Sequence, residues 1–101
     1  MKLFLSAAAL LLSVNAFANI TVHGEIARIF PNGGVINFKL KNDHCGNTGQ
    51  YYYFNLNSDT EKAWYAMMLA AANTGARVSV SIPACPTTAK VAVRYVYQDY
   101  Q

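Results

Sequence analysis

The chain has 101 residues, 53% of them hydrophobic and 13% charged, with a formal net charge of +3 at pH 7. One basic charge sits on Lys2 and the rest are scattered, which argues against the clustered cations of a nucleic-acid footprint. At this length one small domain is expected, with two cysteines as its only candidate staple.

Lys2 makes a positive n-region, Leu3 to Val14 an apolar core, and Ala16-Phe17-Ala18 the small–x–small form of a cleavage site. These features predict a secretory signal peptide over residues 1–18, cleaved after Ala18; the run is too short and wrongly flanked for a membrane span. No cysteine follows the run directly, so a lipid anchor is not expected. The leader has a bacterial look, which makes Asn19-Ile20-Thr21 a chance match to a glycosylation acceptor. Residues 19–101 are then one secreted or periplasmic domain.

Ile20, Val22, Gly24 and Ile26 alternate with Thr21, His23 and Glu25, which predicts an opening strand. After Arg28 the apolar phase slips to Ala27 and Ile29, the mark of a bulge or bend. Pro31-Asn32-Gly33-Gly34 reads as a turn. Ile36, Phe38 and Leu40 point one way in a second strand, with Val35, Asn37, Lys39 and Lys41 opposite. A polar loop from Asn42 to Gln50 carries Cys45. Tyr52, Phe54 and Leu56 continue the inward set, leaving Tyr51, Tyr53 and Asn55 outward.

Ser58 to Asn73 is the one convincing helix. Ser58 with Glu61 forms a capping box, and Gly75 supplies the residue without a Cβ that a left-handed stop favours. Trp64, Met67, Met68 and Ala71 recur at helical spacing as one apolar face. No charged residue lies between Ala63 and Ala72. The other face, with Tyr65, Ala66, Leu69, Ala70 and Ala72, is therefore either solvated alanine-rich surface or a contact with another subunit. Val78, Val80 and Ile82 alternate with Arg77, Ser79 and Ser81 in a fourth strand, which Pro83 ends. In a fifth, Val91, Val93 and Tyr95 oppose Ala92, Arg94 and Val96.

The order β-β-β-α-β-β, with a long bent first strand, predicts a mainly β fold: a five-stranded OB-fold barrel with one capping helix. Closure also removes exposed strand edges. An open α+β sheet is the competing architecture. In the barrel the third and fifth strands run parallel and adjacent, so the loops before them meet, and Cys45 and Cys85 are expected to form a disulfide. A metal pair with His44 and His23 lacks any recognisable ligand spacing. A Cys–His nucleophile lacks an orienting third group.

On such a barrel the second and third strands form the usual ligand face, here Asn37, Lys39, Tyr51, Tyr53 and Asn55. Aromatic rings beside amides and an amine suit a sugar, the ring stacking on C–H faces while amides bond hydroxyls. Stacked nucleobases fit the export signal and weak charge less well. Glu25 and Asp43 make no convincing carboxylate pair, and His23 reads as a strand-surface histidine. No catalytic residue, cofactor or metal is expected.

The run Trp64-Tyr65-Ala66-Met67-Met68-Leu69-Ala70-Ala71, then Asn73-Thr74-Gly75-Ala76-Arg77-Val78-Ser79-Val80, resembles the helix, Thr-Gly step and following strand in the binding subunits of bacterial ring toxins. Subtilase cytotoxin and the pertussis and typhoid toxins have such subunits, and Gly24-x-Ile26 also fits them. The resemblance implies a secreted OB-fold subunit whose helices line a pentameric ring, which binds host glycans and carries a separate catalytic chain. It covers the helix and its flanking strands. The family's sialic-acid serine falls near His23 and its tyrosine near Ile82, and its cysteine pair joins other strands, so no sugar-binding residue carries over. The leading expectation is a non-catalytic exported module binding carbohydrate as a ring oligomer. The rival is a monomeric periplasmic OB-fold protein, structural or stress-related, with a protein partner.

Overall fold

The computed structural model describes residues 19–46 and 50–99; the expected signal peptide lies outside them. The elements are β1 (Ile20–Asn32), β2 (Val35–Leu40), β3 (Tyr52–Asn55), α1 (Asp59–Thr74), β4 (Arg77–Ile82), β5 (Val91–Ala92) and β6 (Tyr95–Tyr97). The strands make one curled half-barrel sheet in the order β5-β3-β2-β1-β4-β6.

The length of β1 lets it serve two partners. Its first half pairs with β4, from Ile20↔Ile82 to Glu25↔Arg77, and its second half with β2, from Ile26↔Leu40 to Asn32↔Val35. The register shifts between Ile26 and Arg28, where the slip in alternation predicts a bulge. Just before it, a Cβ on Gly24 would stand 2.8 Å from the Lys41 carbonyl oxygen, so only glycine fits where the chain leaving β2 crosses β1. The strand continues through Pro31 and Asn32, which leaves the turn to Gly33 and Gly34, with Gly33 at φ +67°.

Inward side chains of β1–β4 make the core: Val22, Ile36, Phe38, Tyr52, Phe54, Val78, Val80 and Ile82 are all buried. Phe38 packs against Tyr52 and Phe54, and Phe54 meets Trp64 of α1 edge-on at 5.4 Å. On α1, Met68 and Ala71 are buried, with Trp64 and Met67 packed against the same core. The helix starts where expected, because Ser58 Oγ accepts from the Glu61 N–H and Glu61 Oε1 accepts from the Asn57 N–H. It stops at Gly75, φ +73°, whose N–H returns to the Ala71 carbonyl. Of the outward set, Ala66, Leu69, Ala70 and Ala72 are exposed. Tyr65 is half-buried against the core, its ring long enough to fold over the helix edge. Among the described residues no helix is long and apolar enough to cross a membrane.

Cys45 and Cys85 are bonded, with Cα atoms 5.4 Å apart. The parallel pairing Tyr52↔Val91 and Tyr53↔Ala92 brings their loops together, as the strand order predicts. The fifth strand requires correction. It is two pieces, β5 on β3 and β6 on β4, joined at Val93-Arg94. Val93 N–H donates to the Tyr53 carbonyl at 2.9 Å, and the next residue, Arg94, donates to Ser81 at 2.7 Å. Changing partner within one step costs the strand its phase. Tyr95, expected to share a side with Val91 and Val93, is 48% exposed while those two pack against the core, and Val96, expected opposite them, is 5% exposed. The expected alternation of β4 is also filled in, because Ser79 and Ser81 are buried with their valine neighbours.

Candidate functional site

Cross-strand register sets the outer face in rows. Arg28 pairs with Lys39, and because Phe38 pairs with Tyr52, Tyr51 stands beside Lys39. The next row runs Phe30, Asn37, Tyr53, Ala92, and the third Asn32, Val35, Asn55. Alternation points all three rows away from the core. The five expected residues, Asn37, Lys39, Tyr51, Tyr53 and Asn55, thus share one face.

Three further side chains complete it. Arg28 Nη1 donates to the Tyr51 hydroxyl at 3.0 Å, and this hydrogen bond, then the tyrosine's charge, raises the guanidinium pKa still further. Lys39 Nζ lies 4.8 Å from the centre of the Tyr51 ring, and Lys90 Nζ 4.6 Å from that of Tyr53. Phe30, 47% exposed, stands 6.1 Å from Tyr51 between ring centres. Asn37 is buried at 5% exposure: its Nδ2 donates to the Phe30 carbonyl and its Oδ1 lies 3.5 Å from Lys90 Nζ. It holds Lys90 over Tyr53, while Asn55 is exposed. Arg28 and Phe30 follow from the same slip that turns Ile29 inward. Lys90 sits in a loop that no alternation reaches.

The face therefore offers three aromatic rings, three cations set beside them and an open amide, a surface suited to stacking on C–H groups and donating to oxygens. Elsewhere, His23 Nδ1 meets Ser79 Oγ at 2.7 Å beside a hollow that Arg77 and Asp99 also line. Glu25 pairs loosely with Lys41 at 3.8 Å. With both cysteines bonded, neither is free as a thiolate for a metal or for nucleophilic attack. No group of three or more His, Cys, Asp or Glu converges among the described residues.

Beneath the face, the Tyr52 hydroxyl donates to Asp43 Oδ2. Burial, and secondly that hydrogen bond, push the Tyr52 phenol above its ordinary value. Unfolding returns it to about 10. The unfolded chain then releases the proton first as pH rises past that value, so stability is complete below it and falls above. The urea midpoint should hold up to about pH 9 and decline beyond about pH 10. Tyr52→Phe should remove the decline; an equal decline in that variant would trace it to another group.

Compared with family models, with curated proteins and with solved structures, the chain matches none.

Proposed function

We propose that this chain is an exported, non-catalytic binding subunit that takes a carbohydrate on the outer face of β1–β3 and works as a ring of identical copies. The carrying observation is the set of rows that gathers Phe30, Tyr51 and Tyr53 beside Arg28, Lys39 and Lys90. Sugars present apolar C–H faces and many hydroxyls, and this surface has a partner for each.

The OB-fold reading belongs to the same proposal. It is supported by a bent β1 that pairs on both sides, by the parallel β3–β5 contact, and by a last segment hydrogen-bonded to both β3 and β4. The resemblance of α1 and its flanks to ring-toxin subunits supports the ring and a separate catalytic chain as its cargo. So does the uncharged exposed patch of Ala66, Leu69, Ala70 and Ala72.

A glycan array with the Tyr51→Ala/Tyr53→Ala chain tests the site. Both rings lie on the outer face, so the circular-dichroism spectrum should persist while affinity falls about tenfold or more. An unchanged array signal would reject this face as the ligand site. A lost spectrum would make the rings structural.

A further inference from the structure

Next to the aromatic face, a hollow of about 500 Å³ opens where β1 bulges beside the end of β2. Arg28, Lys39 and Lys41 line it together with Asp43. Two features are unfavourable as they stand. The bulge sets Arg28 directly opposite Lys39, a like-charge cross-strand pair, with Lys41 two residues further along the same side. Asp43 gives one oxygen to Tyr52, but its other oxygen, Oδ1, is buried with no hydrogen-bond partner among the described residues. Glu25 relieves Lys41 only slightly, since their side chains are 47% and 58% exposed and 3.8 Å apart. A bound group carrying both negative charge and a hydroxyl donor would relieve both defects.

Charge narrows the class. Three cations and one carboxylate leave the hollow short of about two negative charges, which is what a phosphate monoester carries near neutral pH. A sulfate ester or a carboxylate brings one. We propose that this hollow is a phosphate-monoester subsite for a phosphorylated sugar. Arg28, Lys39 and Lys41 hold the phosphate, and a sugar hydroxyl donates to Asp43 Oδ1. The inference rests on the carbohydrate reading of the adjoining face, which shares Arg28 and Lys39 with the hollow.

Isothermal titration of the purified protein with glucose 6-phosphate, glucose 6-sulfate, glucose and inorganic phosphate tests it. The phosphate ester should bind about tenfold more tightly than the sulfate ester, as expected for one added charge-assisted contact. It should also bind more tightly than inorganic phosphate, which lacks the hydroxyls. Lys41→Gln, at an exposed side chain, should weaken glucose 6-phosphate about tenfold and leave neutral-glycan array signals unchanged. Equal affinity for the two esters, or no effect of Lys41→Gln, overturns the subsite while array binding keeps the carbohydrate reading. Inorganic phosphate binding as tightly as the ester overturns the sugar assignment. Silence toward every saccharide, arrays included, overturns both.

Discussion

Replacing Cys45 and Cys85 together by alanine is expected to lower the free energy of unfolding by about 4 kcal/mol. The bridge closes a loop of sequence separation 40, and most of its effect comes from the conformations it denies the unfolded chain. Domains of this size have only about 5–15 kcal/mol in total, so the loss is a large share. It also falls where the sheet is thinnest. β5 has two residues, and its attachment to β3 relies on hydrogen bonds from Val91 and Val93 to the Tyr51 and Tyr53 carbonyls. Urea titrations followed by Trp64 fluorescence, wild type against the double variant, measure the difference. A loss under about 1 kcal/mol would mean that the unbridged chain already holds these loops together by other contacts.

Leu69→Glu is expected to convert the proposed ring to single subunits without unfolding them. Leu69 is 42% exposed amid Ala66, Ala70 and Ala72, while the core side of α1 is Met68 and Ala71. Covering such a leucine contributes roughly 1.5–3 kcal/mol per subunit, and a buried glutamate there would have no partner. Small residues beside it would let neighbouring helices approach closely. Multi-angle light scattering at micromolar concentration should give a multiple of the subunit mass for wild type and a single mass for the variant. A single mass for wild type sinks the ring before any variant is made, and favours the rival reading of a monomer that docks a protein partner.

Several features were legible because their causes are local or periodic. The β1 bulge shows as a phase slip, α1 as a capping box and a glycine stop, and the disulfide as cysteines in the two loops that precede parallel neighbouring strands. The split of the last strand was not legible. Val91 to Val96 alternates like one ladder, and nothing in it announces that Val93 bonds Tyr53 while Arg94 bonds Ser81. The site divides in the same way. Lys39, Tyr51 and Tyr53 follow from alternation within their own strands. Lys90 reaches Tyr53 through the β3–β5 pairing, and Asn37, which alternation sets outward, is buried with its amide bonded to the Phe30 carbonyl and to Lys90. Tyr65, three residues before the buried Met68, sits at the flank of the outer face and packs against the core.

The two-part ending of the sheet has a consequence for a chain still being made. Ile20 waits for Ile82, and the outer edges of β3 and β4 stay open until residues 91–97 arrive. Pairings so distant in sequence form slowly, because each must first close a long loop. The nascent polypeptide therefore has no complete sheet to settle into until its final strand pieces leave the ribosome. Were the protein exported as proposed, that delay would keep the growing chain pliable while a translocation channel needs it so. Synthesis halted before Val91 would leave both edges bare and able to pair with another chain.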